Sequence, residues 1–305
     1  MNIKLCPSTS QPKRQTWSLR HLREARAIAL GAALERSMAR TYSSALVSYL
    51  SFCDSHNFSR EPTPDTLSFF VVYMCHHIKP TSVASYLSGI CSELEVIWPE
   101  VRTHRNSKLV SRTLAGCTKL FRTPATRKHP LMESDLIILQ QSIPSTPSHD
   151  DLLFIAITFT GWHCLMRLGE LVDPDSVALR SYRKTIDRCS IQFKSIPRPH
   201  VSFLLPMHKA DRFYEGSTVV LEERLGSLDP LKIFRQYLLS RDRSFLHLPE
   251  LWLHCSGKVP TQSWYIDCLR SLFPTNEIAG HSLRSGRATA LALAGTPLHQ
   301  IQAIG

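Results

Sequence analysis

The sequence predicts a mainly α-helical protein of two domains, the second carrying a small antiparallel β-sheet. Three observations predict it. Apolar residues recur at three- and four-residue steps through residues 37–121, the period of helices that bury one face. Short β-rich runs, separated by proline-rich and polar turns, break that period between 188 and 222. Between the two regions the segment FRTPATRKHPLMESD (121–135) combines two prolines with basic residues and reads as a linker. The expected organisation is a tail and leading helix over 1–36, a helical domain over 37–121, a linker over 122–132 and a second domain over 133–305.

Residues 17–36 are Arg- and Ala-rich and predict a leading helix. Four helix patterns follow it. The first, over 38–54, puts Met38, Tyr42, Leu46, Tyr49, Leu50 and Cys53 on one stripe. The second opens at Thr63-Pro64-Asp65, a cap residue, a proline at the first helical position and an acid in the first turn. Its stripe is Leu67, Phe70, Val71 and Met74. Pro80 opens the third, with Val83, Tyr86, Leu87, Ile90 and Leu94. Asn106 is the expected cap of the fourth, with Leu109, Thr113, Cys117 and Leu120 facing inward. Helices over 133–142 and 150–158 precede expected strands at 190–193, 200–205 and 217–221. Helices return over 231–240, 263–272 and 282–294.

Composition narrows the class. Of 305 residues 43% are hydrophobic and 20% charged, with few glycines, so a packed core is expected and a largely disordered chain is not. The formal net charge is +11. Residues 1–130 carry 18 Lys and Arg against 8 Asp and Glu, a net +10, whereas 131–305 carry 18 against 17, a net +1. The excess belongs to the helical domain and suits a polyanionic partner, with nucleic acid ahead of membrane surfaces and acidic proteins. Nine scattered cysteines without a C-x-x-C predict reduced thiols inside a cell. Cys53 with His56, or Cys75 with His76 or His77, are weak candidates for zinc, so no metal is expected. The first 15 residues lack the apolar core of a secretory signal, and the longest apolar stretches (69–75 and 152–157) are too short to span a bilayer. An intracellular protein without membrane partners is expected.

Three motifs stand in a fixed order. Met166-Arg167-Leu168-Gly169-Glu170-Leu171 ends an apolar helix. His208-Lys209-Ala210-Asp211 occupies the turn between two expected strands. Gly280-His281-Ser282-Leu283-Arg284-Ser285-Gly286 opens an Ala-rich helix. Taken singly, each has an ordinary explanation: a helix-surface ion pair, a solvated turn lysine, a helix-start histidine. Arg287, one turn beyond Arg284, reads as phosphate-contacting or solvated.

In that order, Arg-x-x-Glu, a hairpin lysine and His-x-x-Arg resemble the tyrosine recombinases of the lambda-integrase type, and the likeness runs over about residues 37–305. The resemblance implies a helical, SAM-like core-binding domain followed by a recombinase catalytic domain. It implies that Arg167 and Arg284 clamp the scissile phosphate, that His281 assists there, that Lys209 protonates the leaving oxygen and that Glu170 orients the site. It implies duplex DNA as partner, copies of the chain assembling on DNA, no cofactor, no metal and no small-molecule substrate. On the helical domain, Arg105, Lys108, Arg112 and Lys119 form a row that a helix places on neighbouring turns, the expected contact with DNA phosphates. The family's nucleophilic tyrosine follows the His-x-x-Arg helix. Tyr214 and Tyr265 both precede it, so no residue of the sequence takes that place and the chain is expected to stop short of it. Two functions remain open. One is a protein of site-specific recombination or integration, such as that of a mobile element, nuclear in a eukaryotic host; the other is a non-catalytic DNA-binding module that retains the fold.

Overall fold

The computed structural model describes residues 14–32, 36–121, 128–208, 211, 215–224, 226, 228–274 and 278–304. The chain divides into two compact units, 1–124 and 125–305. The leading helix α1 (Leu19–Ala32) and the helices α2 (Arg36–His56), α3 (Pro64–Cys75), α4 (Pro80–Leu94), α5 (Val101–Arg105) and α6 (Lys108–Leu120) form the first. The second contains α7 (Glu133–Gln141), α8 (His149–His163), α9 (Leu168–Leu171), β1 (Gln192–Lys194), β2 (His200–Leu205), β3 (Ser217–Glu222), α10 (Pro230–Phe245), α11 (Gln262–Leu272), α12 (Ser282–Leu293) and α13 (Leu298–Ile304). The fold is mainly helical with one three-stranded antiparallel sheet in the order β1-β2-β3, as the sequence predicts.

In the first unit, α3 forms as its sequence dictates. Thr63 accepts the Thr66 N–H through Oγ1, Pro64 occupies the first turn, and Leu67, Phe70, Val71 and Met74 are buried. They pack with Tyr49 and Phe52 of α2, Leu87 and Ile90 of α4 and Val110 of α6. Gly89 of α4 lets α2 come close: a Cβ there would lie 3.0 Å from the Tyr42 Cα.

Three expectations for this unit are corrected. The fifth helix α5 ends at Arg105, and Ser107 caps α6 by accepting the Val110 N–H, so Asn106 closes one helix and does not open the next. The inward stripe of α6 is Val110, Leu114, Cys117 and Phe121, while Leu109 and Leu120 face solvent. A shift of one residue turns a helix face by about 100°, and α6 offers apolar residues on both faces. Met38 is likewise exposed, so the α2 stripe is buried only from its middle onward.

In the second unit α8 is apolar all round, and every residue from Leu153 to Trp162 is buried. It is the axis of the core, with Leu136, Phe203, Phe234, Tyr265 and Leu283 in the same cluster. Leu131, inside the segment that reads as linker, is fully buried here. Its carbonyl accepts the Trp162 indole N–H at 2.7 Å and its N–H donates to Ser282 O at 2.9 Å. Any Cβ at Gly286 would collide with the Leu131 backbone, so that glycine is what allows α12 to lie against this segment. β2 buries Val201, Phe203 and Leu205, and β3 pairs with it along its whole length. Among the described residues no helix is long and apolar enough to cross a membrane.

Candidate functional site: an arginine cleft

The apolar helix α8 ends at His163, beyond the expected 158 but short of the Arg167 motif that the sequence places at a helix end. Leu165 adopts a left-handed conformation (φ 54°), and Arg167 stands at the start of the next, short helix α9 rather than at the end of α8. The Arg167 backbone N–H donates to Glu170 Oε2 at 2.8 Å, and its Nη1 donates to Glu170 Oε1 at 3.0 Å. Glu170 is thus a clamp that fixes both the backbone and the guanidinium of Arg167. From α12, Arg284 Nη1 donates to the Leu165 carbonyl at 2.9 Å.

Arg167, Glu170 and Arg284 line one cleft of about 730 Å³. His163, Cys164, the turn to Arg167 and β3 also line it, and Arg287 and Arg224 add two further guanidiniums. His208 also lines it, with Nε2 2.9 Å from Ser217 Oγ. The next residue, Lys209, and Tyr214 lie outside the described residues. His281 is the N-terminal cap residue of α12, exposed, and does not line the cleft.

The electrostatics are those of a site short of negative charge. Burial, then the nearby charge of Arg167, lowers the pKa of Arg284, while Glu170 opposes the shift. Burial, then Arg224, lowers that of Arg287, whose guanidinium lies 4.7 Å above the Trp162 ring. Burial, then Arg224 and Arg287, holds His163 neutral with a pKa of about 3. The buried Cys164 thiol, donating to Val220 O at 3.4 Å, is pushed up to about 12 by burial. Four arginines against Glu170 and Glu222 favour an anion. His163 and Arg224 were not singled out from the sequence, whereas Arg287 was read as phosphate-contacting or solvated, and it lines this cleft. Arg287 carried a usable signal, since it lies three residues after Arg284 and shares its face; it is half-buried rather than solvated.

On the first unit, Lys108, Arg112 and Lys119 are exposed and share one face of α6. Arg105 is separate from that row, being at the end of α5 with Nη1 donating to Asn106 Oδ1 at 3.0 Å. Cys53 is buried against Tyr49, and Cys75 against Cys117, as core thiols. Tyr265 is fully buried, with its hydroxyl 2.9 Å from Thr158 Oγ1.

These elements, in this order, build a fold shared with solved site-specific recombinases and integrases. Among solved structures, the chain is similar to a lambda integrase dimer bound to a COC′ core site, at 12% identity and a TM-score of 0.56 over 94% of this chain and 93% of that one. It is also similar to XerH site-specific recombinase bound to its palindromic difH substrate in a post-cleavage complex, at 12% identity and a TM-score of 0.55 over 87% and 71% of the two chains. Identities this low establish a likeness of fold. No protein-family model matches the chain, and no curated protein matches it.

Proposed function

We propose that the chain is a DNA-binding protein of the site-specific recombinase kind, and that its second unit grips a backbone phosphate in the arginine cleft. The observation that carries this is the convergence of Arg167 and Arg284, from separate elements, in one cleft with surplus positive charge. Attack on a phosphodiester passes through five-coordinate phosphorus with added negative charge. Two guanidiniums at the non-bridging oxygens stabilise that state more than the starting diester. Arginine suits the task because it stays charged and binds as a fork. Glu170 keeps Arg167 aimed. Lys209 protonates the departing 5′ oxygen, and His281 meets the DNA backbone from the start of α12, outside the cleft. Lys108, Arg112 and Lys119 of α6, and Arg105 from the end of α5, contact DNA phosphates without reading sequence. Copies of the chain assemble on the duplex, and the guanidiniums supply the charge that a metal would otherwise bring.

One observation favours a second reading, DNA binding without strand transfer. Among the described residues no tyrosine lines the cleft, and Tyr265 is held inside the core. A nicked suicide duplex tests both readings. A retarded band in a native gel, weakened by Arg167→Ala or Arg284→Ala, supports the phosphate-gripping cleft. A protein-linked band in a denaturing gel selects strand transfer, and its absence selects the binding module. Failure to retard DNA at low salt contradicts both.

A further inference from the structure

Away from the arginine cleft, the second unit gathers three chemically different side chains. His254 and Cys255 sit on a tight turn closed by two backbone hydrogen bonds, His254 N–H to Lys258 O and Gly257 N–H to His254 O, both 2.8 Å. Gly257, at φ 74°, supplies the left-handed residue in that turn. Asp150 comes from the first turn of α8. Its Oδ1 accepts the Cys255 N–H at 2.8 Å, and its Oδ2 lies 2.9 Å from His254 Nε2. Cys255 Sγ is 3.3 Å from His254 Nδ1. One donor atom from each residue lies within 4.8 Å of the other two.

An imidazole, a thiol and a carboxylate meeting in this way match one kind of ligand. Zinc takes nitrogen, sulfur and oxygen donors together at about 2.0–2.3 Å in a tetrahedron. Magnesium and calcium select all-oxygen sets, and copper(I) selects more sulfur. The donors need close by only a fraction of their present separation. Cys255 is exposed and the other two are half-buried, so a cation has access and the side chains have room to adjust. The charges balance: on binding, the Cys255 S–H proton leaves to solvent, Asp150 is already a carboxylate and His254 binds as the neutral ring. One thiolate and one carboxylate then neutralise a divalent ion. A bound cation favours the thiolate form of the cysteine.

We infer that Asp150, His254 and Cys255 form a zinc site that ties the first turn of α8 to the turn preceding α11, with water in the fourth position. None of the three lines the arginine cleft, so the site stands independently of the function proposed above. Its effect is structural: it anchors the outer end of the helix whose other end leads into Arg167.

The test is titration of the full chain with Co²⁺ under reducing conditions, reading the near-ultraviolet sulfur-to-cobalt charge-transfer band, followed by displacement with Zn²⁺. The band should saturate at one equivalent, disappear in Cys255→Ser and survive in Cys268→Ser. Loss of even an outer partner of a metal ligand typically weakens binding about 10–100-fold, so Asp150→Asn should weaken it at least tenfold. Zn²⁺ should raise the melting temperature of the wild type and leave that of Cys255→Ser unmoved. Cys255 is exposed, and circular dichroism checks that the variant folds. The inference is overturned if the wild type shows no charge-transfer band, or if the band survives Cys255→Ser.

Discussion

Arg284 donates a hydrogen bond to the carbonyl of Leu165, the left-handed residue that turns the chain out of α8 and into Arg167. One arginine of the cleft therefore holds the turn that presents the other. Arg167→Ala and Arg284→Ala should be non-additive in weakening phosphate binding, with a coupling of about 0.5–3 kcal/mol, the range for residues that share a network. Fluorescence anisotropy of a nicked duplex across the double-mutant cycle measures this. Simple addition of the two losses would mean that the arginines act separately.

Glu170 holds Arg167 through two hydrogen bonds, one of them to the backbone N–H at the start of α9. Glu170→Ala removes a helix cap worth about 0.5–2 kcal/mol and frees the guanidinium. Glu170→Gln keeps an acceptor and should retain most of the stability while losing the charge. Thermal unfolding should rank wild type above Gln and Gln above Ala.

Gly286 has no room for a side chain, because the Leu131 backbone occupies the space. Gly286→Ala must push α12 away from that segment and should cost about 1–3 kcal/mol or more, as overpacking does. Gly116 faces open space, so Gly116→Ala on α6 should be neutral or stabilising by up to about 1 kcal/mol. Urea denaturation of the two variants checks the contrast.

His163 is neutral in the folded chain, with a pKa lowered to about 3 chiefly by burial. Unfolded, its pKa returns to about 6.5. The unfolded state therefore binds the extra proton between these values. Stability from this residue is intact above pH 6.5 and declines as the pH falls toward 3. Urea midpoints at pH 7.5 and pH 5 should differ less for His163→Gln than for the wild type. An unchanged difference would mean that His163 is not the group responsible.

The α6 row should govern the salt dependence of DNA binding. Each phosphate neutralised contributes about 0.9 to the slope of log K against log salt. Replacing Lys108, Arg112 and Lys119 with Gln should lower the slope by roughly 2–3, measured on the full chain between low and physiological salt. An unchanged slope would remove this face from the contact.

Legibility in the sequence followed the strength of the local signal. α3 announces itself through Thr63, Pro64, Asp65 and a clean stripe, and β2 and β3 through short β-rich runs between proline-rich and polar turns. α5 spans only five residues, too short for periodicity to register. The end of α8 was hidden because Cys164, Leu165 and Met166 continue its apolar run, and neither glycine nor proline marks the left-handed residue. Arg167, Glu170 and Arg284 were legible as motifs, but their shared cleft depends on the Arg284–Leu165 contact, which no spacing encodes. Leu131 was lost in the linker because its partners, Trp162 and Ser282, are distant in sequence.

The most direct test of the cleft is binding of a nicked duplex with hydroxyl ends, with and without vanadate. Vanadate bridging the two ends mimics five-coordinate phosphorus and should tighten binding by the wild type. Removing a charge-stabilising donor from a transition-state site typically costs about 3–4 kcal/mol, so Arg167→Ala and Arg284→Ala should each abolish the gain while remaining folded. An equal vanadate effect in either folded variant, or no effect in the wild type, would contradict the assignment of these arginines to a reacting phosphate.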